Sequence, residues 1–161
     1  MNNTLGTTEK GTTEKGTTEK GTTEKTIVKE KSELFLELSV AHLKEIIALL
    51  DNGDKTELKA VIIKLGATWC GPCQKIKPLC LACFSHMPPN VISFDIDCDD
   101  NMEIYSFFKN KRMLNGIPAI FAYTINKNRD NNLWYIPNMS VLGSDENQIK
   151  NLFKTVFEQT F

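Results

Sequence analysis

Two cysteines separated by two residues lie in the segment 69–73, which reads Trp-Cys-Gly-Pro-Cys. Thiols at this spacing can form a disulfide and pass it to or from a partner by thiol exchange. The same spacing also occurs in zinc sites, so the pair alone leaves metal binding open. The secondary structure around the two cysteines helps to choose between disulfide exchange and zinc binding.

The sequence on either side of the pair favours redox chemistry. The apolar, β-branched run at 61–65 predicts a buried strand. After the pair, apolar residues recur at spacings of three and four and predict a helix over 70–87: Cys73, Ile76, Cys80, Cys83, Phe84 and Met87. Cys70 is then expected at a helix N-terminus, where unpaired N–H groups and the helix dipole favour a thiolate.

Composition narrows the class of protein. The chain has 161 residues and a formal net charge of −1, which gives no broad attraction to phosphate, so neither nucleic acid nor a membrane is expected as a partner. No apolar leader or membrane-spanning run is visible. Five cysteines are an odd number and argue against a secreted disulfide scaffold. We therefore expect a cytoplasmic, monomeric protein.

The chain divides into a repetitive tail and one domain. Gly-Thr-Thr-Glu-Lys occurs four times in register over 6–25, and no copy contains an apolar residue. Such a segment cannot bury enough surface to order its backbone, so residues 1–25 are predicted to form a disordered low-complexity tail. Residues 26–161 are predicted to form a single domain.

Strand and helix patterns alternate through this domain in the order β-α-β-α-β-α-β-β-α. The first strand is predicted at 26–29 or 34–38, and Ser39 is predicted to cap the following helix. Strands at 119–124 and 133–142 predict an antiparallel hairpin. Right-handed crossovers would make the early strands parallel, cover both sheet faces with helices and leave the hairpin at one edge.

With this element order, the Trp-Cys-Gly-Pro-Cys motif, Pro78, the Gly-Ile-Pro at 116–118 and Gly143, the chain resembles the thioredoxin family over about 26–161. The resemblance implies the thioredoxin-like fold, a three-layer α/β/α sandwich with a central mixed sheet. It also implies a thiol-disulfide oxidoreductase that acts on protein disulfides and is recharged by an upstream disulfide reductase. No metal or organic cofactor is implied.

The resemblance assigns roles residue by residue. Cys70 is expected to be the exposed nucleophile and Cys73 the resolving thiol, and the two are expected to form the redox disulfide. Pro118 is expected to follow a cis peptide bond, which would let the Ile117 backbone pair with an extended substrate. The expected substrate-binding residues are Trp69, Gly71, Pro72, Ile117, Pro118 and Gly143.

Lys64 departs from the family pattern, because a buried Asp or Glu usually stands six residues before the first cysteine. The residue expected to face it on the next strand is Ser93, where the family often has Lys. Our hypothesis is that Lys64 lowers the thiol pKa values and stabilises the reduced form, with Asp95 as a candidate partner. The alternative is that Lys64 extends to solvent and leaves the thiols unaffected.

The other cysteines allow further interpretations. Cys80 and Cys83 form a second pair at the same spacing, but about 10 Å of helix between Cys73 and Cys80 argues against a shared zinc ion. Buried apolar roles are expected for these two, and Cys98 is predicted to be partly exposed. Two alternative functions remain, a binding or assembly module with little redox turnover and, third, a cysteine-bound zinc site.

Overall fold

The computed structural model describes residues 33–161. The predicted tail at 1–25, the alternative first strand at 26–29 and the start of the predicted domain lie outside the described residues. Within residues 33–161, nine elements follow the predicted order: β1 (Leu34–Phe35), α1 (Val40–Asp51), β2 (Ala60–Gly66), α2 (Gly71–His86), β3 (Val91–Asp97), α3 (Met102–Asn110), β4 (Ala119–Thr124), β5 (Met139–Leu142) and α4 (Glu146–Gln159).

The strands form one mixed sheet in the order β1-β3-β2-β4-β5. β1, β3 and β2 are parallel to one another, and β4 runs antiparallel to both β2 and β5. The predicted parallel arrangement of the early strands and the antiparallel hairpin at one edge are therefore confirmed. β2 is the central strand, and all seven of its residues are buried.

Helices cover both faces of the sheet because side chains alternate along each strand. α1 and α3 pack on the face that carries Val61, Ile63 and Leu65 of β2. α2 and α4 pack on the opposite face, against Ala60 and Ile62. The three-layer α/β/α fold class is confirmed, and the position of Lys64 in the alternation places it on the α2 side.

Local sequence determines where the helices begin. Ser39 Oγ accepts a hydrogen bond from the backbone N–H of His42, and this satisfies a donor at the start of α1. Asp145 accepts bonds from the N–H groups of Asn147 and Gln148 at the start of α4. The predicted cap at Ser39 is confirmed. Pro78 lies inside α2, and the helix continues past it to His86.

The hairpin differs from its prediction. β5 begins at Met139, whereas the sequence pattern placed a strand from 133 onward. The Tyr123 hydroxyl donates a hydrogen bond to the Tyr135 carbonyl, and the Trp134 ring stacks on Phe107 of α3. Trp134 and Tyr135 therefore pack against the fold from a loop, while Leu133 and Ile136 stay exposed. Period-two alternation alone does not separate this case from a strand.

Candidate active site

Cys70 and Cys73 are joined by a disulfide at the start of α2. Cys70 is the N-cap residue, and its Sγ accepts a hydrogen bond from the Cys73 N–H at 3.2 Å. Gly71 and Pro72 occupy the first turn of the helix, where the missing N–H of a proline costs no hydrogen bond. In the reduced protein the same N–H group would stabilise a thiolate on Cys70.

Both sulfurs are more enclosed than the expected exposed nucleophile. Cys70 is 5% exposed and Cys73 is 2% exposed, and they form a small apolar cluster with Ala67 that Ile117 covers. The exposed surface beside the disulfide belongs to Trp69, which is 69% exposed. The expectation of an exposed Cys70 was wrong for this oxidised state, because Ala67 and Ile117 pack against the disulfide.

A second segment faces the disulfide from the start of β4. The Ile117–Pro118 peptide bond is cis, as the resemblance implied. The Ile117 carbonyl oxygen lies 3.8 Å from Cys70 Sγ. The Gly143 N–H donates to the Pro118 carbonyl at 2.8 Å, and Gly143 has a φ of +103°, which side chains other than that of glycine rarely adopt. Gly143 therefore connects the loop after β5 to the segment beside the disulfide.

Trp69 is oriented by acidic residues that the sequence analysis did not single out. Its Nε1–H donates to Asp99 Oδ2 at 2.7 Å. Asp97 accepts hydrogen bonds from the N–H groups of Thr68 and Asp99, so it connects the loop before α2 to the end of β3. In the sequence, Asp95, Asp97 and Asp99 occur at every second position around the end of β3. This pattern could have indicated acidic residues near the cysteines, because the carboxyl ends of neighbouring parallel strands meet at one sheet edge.

Lys64 points behind the disulfide and is 4% exposed. Its Nζ donates to Asp95 Oδ1 at 2.6 Å. The proposed partner Asp95 is therefore present, and the alternative in which Lys64 extends to solvent was wrong. The residue that faces Lys64 on β3 is Asp95, whereas Ser93 pairs with Ile62. The expectation for Ser93 was wrong because strand register is decided by pairing in the folded sheet.

The remaining cysteines are free. Cys80 is fully buried and Cys83 is half-buried on α2, as expected for apolar packing. Cys98 is 3% exposed, so its predicted partial exposure was wrong. Burial raises the pKa of the Cys80 thiol to about 12 and that of Cys98 to about 11, and Asp97 and Asp99 add to the rise at Cys98. These thiols are protonated at neutral pH.

The described residues contain neither a cluster of metal ligands nor a helix suited to a membrane. Within residues 33–161, no three side chains of His, Cys, Asp or Glu lie close enough to hold a metal ion. Over the same residues, no helix is both long enough and apolar enough to cross a bilayer.

The relatives of this chain include thioredoxins. A thioredoxin from Geodia cydonium is 43% identical over 56 residues, which are 35% of this chain and 48% of the relative. A thioredoxin from Ophiophagus hannah is 36% identical over 67 residues, which are 42% of this chain and 60% of the relative. The chain thus spans about half the length of the curated relatives it matches.

A solved structure shows the same fold at low sequence identity. Plasmodium falciparum thioredoxin superposes with a TM-score of 0.56 at 21% identity, over 79% of this chain and 89% of the other. The thioredoxin family model matches residues 47–134, which include the disulfide, the Lys64–Asp95 pair and Pro118. A match over more than half of the sequence, with the redox cysteines at the start of α2, shows that this chain belongs to the thioredoxin family.

Proposed function

We propose that this chain is a thiol-disulfide oxidoreductase that reduces protein disulfides through Cys70 and Cys73. The observation that carries the proposal is the position of Cys70 at the N-terminus of α2, where the Cys73 N–H already points at its sulfur. A thiolate there gains a charge-assisted hydrogen bond and the favourable end of the helix dipole. The exposed face of Trp69 and the Ile117 backbone supply a surface for the client beside it.

The proposed reaction proceeds by two exchanges. The Cys70 thiolate attacks one sulfur of the client disulfide, forms a mixed disulfide and releases the other client sulfur as a thiolate. Cys73 then loses its proton and attacks Cys70, which closes the observed disulfide and releases the second client thiol. An upstream disulfide reductase supplies the two electrons and two protons that restore the dithiol.

Client binding is assigned to residues around the disulfide. Trp69, Gly71 and Pro72 present the exposed start of α2, Ile117 packs on the sulfur pair, and Pro118 follows it through the cis peptide bond. Gly143 fixes the segment behind Pro118 through its backbone N–H. Because most of this surface is backbone and apolar area, clients would be recognised with little dependence on their sequence.

We further propose a cytoplasmic, monomeric protein, with neither nucleic acid nor membrane as a partner. The three free cysteines Cys80, Cys83 and Cys98 support a reducing compartment, since all of them remain outside disulfides. Lys64 is proposed to act on the thiols through its charge, and its burial beside Asp95 supports this role.

Insulin reduction with dithiothreitol as electron donor tests the activity. Wild-type protein should accelerate the reaction, Cys70→Ser should abolish the acceleration, and Cys83→Ser, a half-buried cysteine on the same helix, should leave it unchanged. Cys73→Ser should accumulate a mixed disulfide on Cys70. If Cys70→Ser folds and keeps the wild-type rate, the exchange mechanism is refuted and the binding-module alternative is favoured.

A further inference from the structure

A buried ion pair lies directly behind the redox disulfide. Lys64 of β2 and Asp95 of β3 are register partners in the central part of the sheet, and their side chains are 5% and 15% exposed. Removing two charges from water has a large desolvation cost, so this pair contributes little net stability. What distinguishes it from the buried Arg129–Asp51 pair is its position beside the redox cysteines.

The pair shares a cavity with the resolving cysteine. The cavity has a volume of about 150 Å³ and opens to solvent, and its charged lining residues are Lys64, Lys77, Asp95 and Asp97. Cys73 lines the same cavity. A Cβ added at Gly66 would lie 3.5 Å from Cys73 Sγ and 3.7 Å from Lys64 Nζ, so the sulfur and the ammonium lie beside the same glycine.

The charges of Lys64 and Asp95 also act on Cys80, the next thiol along α2. The Lys64 ammonium lowers the pKa of Cys80 and Asp95 raises it, against a larger rise from burial. The two charges therefore act in opposite directions on a thiol in this layer. Cys73 precedes Cys80 on the same helix and lines the cavity itself, so both charges also act on its sulfur.

From this geometry we propose that Asp95 is a positioning residue of the redox site: it holds the Lys64 ammonium behind Cys73 and offsets its charge at the sulfur. The inference rests on the proposed dithiol exchange. Reduction by glutathione or the upstream reductase adds two electrons and two protons, breaks the S–S bond and leaves two thiols. Cys73, which lines the cavity, can exchange its proton with solvent there. The cation favours the thiolate, and the carboxylate limits how strongly it does so.

Single substitutions should therefore move the site in opposite directions. Asp95→Asn leaves the ammonium unopposed, so the dithiol should lose its proton at lower pH and the reduced form should be favoured. Lys64→Met leaves the carboxylate behind the sulfur and should have the opposite effect. We expect about a tenfold change in the equilibrium constant with glutathione for each variant, which corresponds to about 30 mV for two electrons.

The experiment measures thiolate absorbance against pH and the equilibrium with glutathione, both on the isolated full chain. Asp51→Asn is the matched control, because the Arg129–Asp51 pair has the same 2.6 Å separation and similar burial at 7% and 17%. It should lower stability and leave both redox readouts unchanged. The inference is overturned if Asp95→Asn and Lys64→Met shift the readouts in the same direction, or by no more than the control.

A second variant keeps the test decisive if a single substitution prevents folding. Lys64→Asp combined with Asp95→Lys retains one cation and one anion but exchanges their positions, so the thiolate should be disfavoured relative to wild type. An unchanged thiol titration in this double variant would also overturn the inference. Insulin reduction is scored separately: a wild-type protein without turnover but with these shifts would refute the proposed function and leave the electrostatic inference standing.

Discussion

Replacing Arg129 by methionine is expected to destabilise the fold by about 3 kcal/mol, because it leaves a buried carboxylate without its cation. Arg129 Nε lies 2.6 Å from Asp51 Oδ2, and the two side chains are 7% and 17% exposed. The guanidinium also donates to the carbonyls of Thr124 and Ile136 and to Asn138 Oδ1. One side chain therefore joins α1, β4 and the loop before β5.

The magnitude follows from what remains after the substitution. Removing one partner of a buried pair costs about 3–5 kcal/mol, since the other charge stays buried. Asp51 keeps a hydrogen bond from the Asn126 N–H, and its partial exposure admits some solvent, so the lower end of the range applies. A loss of this size corresponds to a fall in melting temperature on the order of 10 °C.

Urea denaturation of four variants checks the value. Lys127→Met is the control, because the Lys127–Asp54 pair is exposed at 63% and 82% and should contribute less than about 1 kcal/mol. The double variant Asp51→Asn/Arg129→Met removes both charges and should lose clearly less than the sum of the two single losses. The reasoning is refuted if Arg129→Met costs no more than Lys127→Met, or if the two single losses simply add.

Two further predictions concern the cysteines and Gly143. Burial raises the pKa values of Cys80 and Cys98 from 9.0 to about 12 and about 11, so the unfolded chain loses these protons at lower pH than the folded chain does. The two protonated thiols therefore contribute fully to folding stability below pH 9, and this contribution is lost as the pH rises from 9 through about 11 and about 12. Urea unfolding at several pH values should show this loss of stability, and a variant with both cysteines changed to alanine should lose less stability over the same pH range. An equal loss in the variant would contradict the assignment of this pH dependence to the two thiols. Gly143→Ala should cost about 1–3 kcal/mol through backbone strain at its positive φ, whereas Gly116→Ala, also in open space, should cost little. Equal costs in chemical denaturation would show that the backbone at 143 is not strained.

Much of the fold could be predicted because its determinants are local. The Ser39 and Asp145 caps depend on a side chain and the N–H groups two or three residues later, so their sequence positions determine them. The buried face of α1 likewise follows local spacing, since Leu43 and Ile47 are four residues apart and both are buried. The loop before β5 was not predicted because its aromatic residues are partly buried by packing on Phe107 of α3, a contact between residues far apart in the chain.

The sequence by itself determined that two thiols would stand three residues apart at a helix start, because that spacing and the strand before it are local properties. Only the tertiary structure decided what surrounds them. Sheet register placed Asp95 opposite Lys64, and helix packing enclosed Cys98. These relations join residues far apart in the chain, and they exist only after the strands have paired. The disulfide chemistry and the two charged residues could therefore be predicted from the sequence, whereas the pairing of Lys64 with Asp95 and their burial were decided by the fold.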